Sequence, residues 1–363
     1  MTGTYRVLFC DLRSDQLIDV LPVAGLAWDD WIGKTGTLRG TIPIPDAGMA
    51  ARASRMLPAR TAVWLERDRV IEWGGILWTR VRSRDGGGAS MAIQCAGWES
   101  YLDHRILYST WQTAPGGVDQ LDIARQLVNV AQAETGGDIG IQLDWSQTSG
   151  VVRERTYSRY DLPKVRTLLD QLSDVIDGFE WRISSYRDGD GSRAKALVLG
   201  YPRISAGSTD VVLDYPGVIT DYALPEDGTT EANRWQSRGT STNKNQAAAS
   251  FPLMSSLMSY PDRVADGWPL LDGSSDHSTV ETLDVLDDHA AADIARAREP
   301  EVIPEVTISL AARALPPLGS YVRIRIRDVW PDVMTVRHRV VGVSVSTSAQ
   351  GTPVTARLTL EAA

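Results

Sequence analysis

The sequence predicts an α+β, mainly β fold: two β-barrel or sandwich domains with an inserted helical α+β domain. Three features of the chain point there. Its end repeats the plan of its beginning. Leu57-Pro58 leads into a strand-like segment from Thr61 to Asp68, and Leu315-Pro316 leads into another from Tyr321 to Asp328. Each is followed by a long strand-like stretch, Val70–Ser83 or Val333–Thr347, and a turn, Asp85–Gly88 or Ser348–Gly351. Each closes with an alternating strand, Ala89–Ala96 or Val354–Leu360, and a helical segment precedes each copy. Between the copies the apolar spacing changes to that of helices. Finally, 363 residues exceed one ordinary domain. A duplicated β-unit implies pseudo-symmetric assembly.

Taken in order, residues 5–10 and 17–23 read as a first hairpin. Thr37–Ile44 alternates and ends among Pro43 and Pro45, as prolines at a strand end should. Asp46 caps a short helix through Ala50–Leu57, which stops before Pro58. Inside the apolar strand Ile71–Trp78, Gly74-Gly75 reads as a bulge or bend. These elements make a first domain, 1–105. Val118–Glu134 carries Leu121, Ala124, Leu127, Val128 and Ala131 at helical spacing and stops at Gly136-Gly137. Leu162–Asp177 carries Val165, Leu168, Leu169, Leu172, Val175 and Ile176, with Asp161 as N-cap and Gly178 as stop, and its Val165, Leu168, Leu169, Leu172 and Ile176 face is expected to pack on a core. A hairpin through Asp188–Gly191 completes an inserted α+β domain, 106–199. Strands near 211–222 and 232–239, a helix over Thr282–Glu299, a strand over Val302–Leu310 and the last three strands make the second β-domain, 200–239 with 280–363. Residues 240–279, with Pro252, Pro261 and Pro269, read as a loop excursion between them.

Composition narrows the functional classes. A net charge of −9 argues against wrapping nucleic acid. No stretch approaches the roughly 20 apolar residues of a membrane span, and the N-terminus has no signal-peptide pattern. The chain is therefore expected to stay in the cytoplasm or leave as part of something larger. Cys10 and Cys95 lie in apolar strands and read as buried thiols; a disulfide would need those strands to be adjacent. Ile32-Gly-Lys-Thr35 looks like the tail of a phosphate loop, but Trp28 stands where that motif requires glycine. The four histidines, His104, His277, His289 and His338, show no metal-ligand spacing. His289 and Asp293, four apart on a helix, read as a solvated acidic face rather than a divalent site. Asp188-x-Asp190-Gly191 reads as a turn rather than a calcium loop. No catalytic, cofactor or metal residue is named, and a non-enzymatic role is expected.

What stands out is a basic stripe. Arg323, Arg325 and Arg327 share one face of a strand, Val322, Ile324 and Ile326 the other, and Arg337 and Arg339 continue the theme on the next strand. It is either a solvent face with cross-strand charge pairing or a surface against a pore or neighbouring subunit. Trp64, Trp73, Trp78 and Trp98 read as core, with a glycan platform as the alternative.

The segments Asp161-Leu-Pro-Lys-Val-Arg-Thr-Leu-Leu-Asp-Gln-Leu172, Gly178-Phe-Glu-Trp-Arg-Ile183 and Leu318-Gly-Ser-Tyr-Val-Arg-Ile324 carry a family likeness. The chain resembles minor tail proteins of long-tailed actinobacterial phages, the ReqiPepy6-type siphovirus group, and through them the baseplate or tail-tip hubs. The resemblance implies two tail-tube-like β-barrel domains per chain, with three chains forming a ring of six. It implies a structural virion protein at the tail tip, assembled in the host cytoplasm, that joins a sixfold tube to a threefold tip. Implied partners are further copies of the chain (a homotrimer), distal tail or tube proteins, tip or tail-fibre proteins, the tape measure protein, and genomic DNA in transit; no cofactor is implied. The competing readings are a tail-associated cell-wall hydrolase and a host-glycan binding protein. Hydrolases of such tips usually occupy an extra C-terminal domain, and the chain ends at Ala363 after the last expected strand, so none is expected.

Overall fold

The computed structural model describes residues 5–241, 251–278, 280–298, 303–311, 313–330, 334–347 and 354–362. They divide into two compact units, residues 1–222 with 305–363, and residues 223–304.

The first unit begins with β1 (Tyr5–Asp11), β2 (Leu17–Leu21), β3 (Ala24–Trp31), β4 (Thr37–Ile44), α1 (Ala47–Ser54), β5 (Thr61–Arg67), β6 (Val70–Asp85) and β7 (Gly88–Gly97). Asp46 caps α1, its carboxylate accepting from the Met49 amide at 2.7 Å. Four two-residue strands follow in pairs, β8 (Trp111–Gln112) with β12 (Thr156–Tyr157), and β9 (Val118–Asp119) with β11 (Val152–Arg153). Among them lie α2 (Gln120–Ala133) and β10 (Ile141–Leu143); beyond come α3 (Val165–Ser173), β13 (Glu180–Arg187), β14 (Arg193–Gly200), β15 (Ala206–Tyr215) and β16 (Ile219–Ala223). Helix α3 is shorter than expected at both ends; it stops at Ser173, so Ile176, expected on its buried face, lies beyond the helix and is exposed. Pro163 disfavours helical backbone at Leu162, which adopts φ 45°, so the helix starts after Lys164 rather than at Asp161.

The second unit holds β17 (Arg234–Ser241), β18 (Pro252–Met254), β19 (Met258–Ser259), α4 (Pro261–Ala265), β20 (Asp272–Asp276) and α5 (Leu283–Ala297). β17 is its centre, antiparallel to β18 and β19 and parallel to β20. Leu286, Ala290 and Ile294 form the buried face of α5. The chain then returns to the first unit as β21 (Glu305–Ser309), β22 (Ser320–Ile326), β23 (Met334–Ser346) and β24 (Thr355–Ala362).

Two boundaries differ from expectation. The 240–279 segment is not a bare excursion from a β-domain. With β17 and α5 it forms the second unit, because its short strands gain ladder partners only from β17. The α+β piece at 106–199 does not stand apart either. Its helices share one core with the first β-strands, where Leu121, Leu127, Leu169, Leu172 and Trp181 pack with Leu8, Trp64, Ile76 and Trp98. The expected helix before the second copy is α5, which belongs to the other unit; its nearest counterpart in the first copy, α1, lies between β4 and β5.

Thirteen strands of the first unit join in one sheet. Its path runs β16-β21-β24-β23-β3-β4-β7-β6-β5-β1-β2, with β22 beside β23 and β15 beside β22. The expected barrels do not close on themselves among the described residues; the strands of both β-domains continue into one another through β3 and β23.

Candidate interaction surfaces

The two copies share a ladder plan. β5-β6-β7 and β22-β23-β24 are both antiparallel three-strand meanders. Each long middle strand slips register once against its third strand, between Leu77 and Thr79 in β6 and between Val340 and Gly342 in β23. Aligned on that slip, Ile76 matches Arg339. Their partners then match as well: Ala62 with Tyr321, Trp64 with Arg323, and Gly74 with Arg337.

Equivalent faces meet different surroundings. In the first copy the Trp64 face lies under the α+β piece. Trp64 and Trp98 rings are 4.8 Å apart, and the Lys195 ammonium sits 4.2 Å from the Trp98 ring. Gly74 is part of the ladder rather than a bulge. A side chain there would meet Ser185 Oγ at 2.4 Å and Trp98 at 2.8 Å, so glycine is needed for close packing.

In the second copy the matching face carries the arginine stripe. Val322, Ile324 and Ile326 are buried while Arg323 and Arg325 are exposed. Asp210 on β15 accepts from Arg323 at 3.0 Å and from Arg337 at 3.1 Å, and Asp214 pairs with Arg325 at 2.6 Å. The Arg323 guanidinium, joined by Arg337, holds the Asp210 carboxyl below its usual range; Arg325 does the same for Asp214. Arg337 also lies 3.7 Å over the Tyr321 ring. Arg327 donates its backbone amide to Tyr215. Arg339 departs from the expectation of a surface position. It is fully buried, pairs with Glu180 and Glu361, and donates to the Ile204 carbonyl at 2.8 Å. Strand alternation places it on the arginine face, but the start of β13 covers that position.

Two polar clusters carry no clear mark in the sequence. Buried Glu99 accepts from the Ile183 amide at 2.7 Å near the Asp30–Arg182 ion pair. Burial, reinforced by the Asp30 charge, pushes its carboxyl up to about 7. In the second unit Asp293 accepts from Ser275 at 2.6 Å and contacts His277 Nε2 at 2.8 Å, and His277 stacks on His289. Ser275 and Asp293 both meet Nε2 of His277, so no Ser–His–Asp relay is formed, in which the carboxylate would hold the opposite ring nitrogen. The Asp188–Gly191 segment is the β13–β14 turn. Cys10 and Cys95 are both buried and unbridged, on β1 and β7 with β5 and β6 between them. Among the described residues no group of three metal-ligating side chains gathers, and no helix is long and apolar enough to cross a membrane.

No family model matches the chain, and no curated protein matches its sequence. Solved structures match along nearly its whole length. The 43 kDa tail protein of prophage MuSo2 from Shewanella oneidensis is 9% identical, with a TM-score of 0.55 and 98% of each chain covered. The tail protein from Neisseria meningitidis MC58 is 13% identical, with a TM-score of 0.54, over 98% of this chain and 96% of that one. The chain has the fold of phage tail proteins. A chain of the half-lidded Francisella PdpA–VgrG complex has a TM-score of 0.55 at 8% identity, over 99% of this chain and 57% of its own length. The tail-protein fold here is mainly β, with few helices.

Proposed function

We propose that this chain is a structural virion protein, a trimeric tail-tip or baseplate hub that joins a sixfold tail tube to a threefold tip and surrounds the channel for the genome. The observation that carries the reading is the repeated meander with its repeated register slip, joined edge to edge in one sheet. Three such chains supply six equivalent modules. The tail-protein neighbours support this reading. Its partners are then tube proteins above, tip or fibre proteins below, and the tape measure protein, with DNA in transit; assembly takes place in the host cytoplasm. The narrower kinship with ReqiPepy6-type proteins of actinobacterial siphophages rests on the quoted sequence segments.

The arginine face belongs to the same proposal. Its counterpart in the first copy is the face covered by the α+β piece. A covered face cannot also line a channel, so Arg323, Arg325, Arg327 and Arg337 face a neighbouring subunit rather than DNA. Strong phosphate contacts would in any case retain the genome. Reversing Arg323, Arg325 and Arg327 together should weaken incorporation into tails and leave the isolated chain folded. Normal incorporation with slowed ejection would assign the face to the channel instead. Mass spectrometry of purified particles should count three copies per tail; one or six would contradict the hub. The purified protein is expected to release no sugar from cell walls and to bind no glycan array, as befits a scaffold rather than a hydrolase or receptor-binding protein.

A further inference from the structure

The distal half of β6 is an open sheet edge. Along Thr79–Asp85, β7 occupies one side, while β5 ends its pairing opposite Ile76. Among the described residues no strand occupies the other side. Val81, in the middle, is 53% exposed. A bare edge of this kind is a template for strand addition.

The same position is filled in the second copy. There β3 pairs antiparallel with Gly342–Ser346, from Gly342 opposite Trp31 to Ser346 opposite Ala27. The register slips align Gly342–Ser346 with Thr79–Ser83. We propose that β16 of a second copy of this chain docks along the far end of this edge, on Arg82–Asp85, as β3 docks on β23 within the chain. The inference rests on the hub reading and specifies its subunit seam.

The choice of β16 follows from the ladder. β4 pairs β7 with Ile42 opposite Met91, and β21 pairs β24 with Ile308 opposite Ala356. β3 flanks β4, and β16 flanks β21. Ser309 donates its amide to the Val218 carbonyl at 2.9 Å, and the Thr220 hydroxyl donates to the Thr307 carbonyl at 3.2 Å. The numbers run in opposite directions, so Tyr222 falls beside Glu305, the place Ala27 takes beside Arg39. Tyr222 of one copy is thereby set against Ser83 of the next.

Charge agrees with this pairing. Arg82 and Arg84 on the open edge have no carboxylate partner among the described residues, and Asp221 on β16, which this register sets opposite Arg84, has no basic one. Each chain offers one donor strand and one acceptor edge. Such a head-to-tail contact closes into a ring when the rotation allows.

Cysteine cross-linking tests the seam. Neighbouring strands bring Cα atoms within disulfide range, and the native Cys10 and Cys95 are buried. Ser83→Cys and Tyr222→Cys proteins, mixed at high concentration and mildly oxidised, should give a linked dimer that neither gives alone. The double variant should give a ladder ending at trimer, and Arg82→Glu/Arg84→Glu in that background should reduce the yield at least several-fold. Native mass is measured in parallel. A trimer without the cross-link overturns the seam and leaves the hub reading standing. A monomer at every concentration without the cross-link overturns the seam and counts against the trimer. Efficient dimerisation of Ser83→Cys alone would show a two-fold contact and also overturn the proposal.

Discussion

The two meanders of this chain share a backbone plan and are finished in different ways. Around β5-β6-β7 the outer face is apolar, with Trp64 and Trp98 sealed beneath α2, α3 and the β13–β14 hairpin. Around β22-β23-β24 the equivalent face is ionic, and β15 supplies Asp210 and Asp214 to neutralise Arg323, Arg325 and Arg337. The edges differ in the opposite sense. β23 is occupied along both sides, whereas along one side of β6 no strand follows beyond Ile76, and the Leu77 carbonyl accepts from the Ala59 amide instead. A duplicated module in one chain can thus divide two tasks. One copy carries the covering domain and an open edge; the other carries the internal seam and a charged surface.

The largest effects should come from the covered copy. Leu169 is fully buried in the helical core. Leu169→Asp would leave an unpaired charge there and should cost about 4 kcal/mol or more, measured by denaturant unfolding. Unchanged stability would mean the helices do not seal this face.

Arg339 is the exception on the ionic side, because it is buried. Arg339→Ala would strand Glu180 and Glu361 and should cost about 3 kcal/mol. A loss no greater than that of an exposed arginine would show that the pair is solvated.

Glu99 sharpens the contrast through pH. Its carboxyl is raised to about 7 in the folded chain by burial, with Asp30 adding to the effect. The folded state therefore holds a proton that the unfolded state releases, and stability falls as pH rises from about 4.5 to about 7. Full expression of the shift corresponds to about 3 kcal/mol. Glu99→Gln should remove that part of the decline, and equal pH slopes for both proteins would contradict the assignment. The smallest effect should come from Arg325→Ala, whose exposed pair with Asp214 contributes too little to resolve by thermal melting.

The sequence showed the alternation of Val322, Ile324 and Ile326 with Arg323 and Arg325, because a two-residue period survives on any half-buried strand. It also showed α2 and α5 within a few residues. It did not show the carboxylates that neutralise the stripe, since Asp210 and Arg323 are 113 residues apart and only the parallel β15–β22 pairing joins them. β3 was missed entirely. Ala24-Gly-Leu-Ala-Trp-Asp-Asp-Trp31 has a glycine at positive φ and two adjacent aspartates, so it lacks clean alternation. That strand joins the two copies, and its identity follows from its partners rather than its residues. Arg339 was misplaced for a related reason: parity assigns a face, while burial depends on what a distant segment lays over it.

In the proposed hub two unlike copies alternate around one ring, and a reconstruction of the tail tip would resolve them. Six meanders should surround the channel from three chains, alternating between modules that carry the α+β piece and modules that carry the arginine face. A single copy, six copies, or a ring in which only one of the two meanders takes part would contradict it.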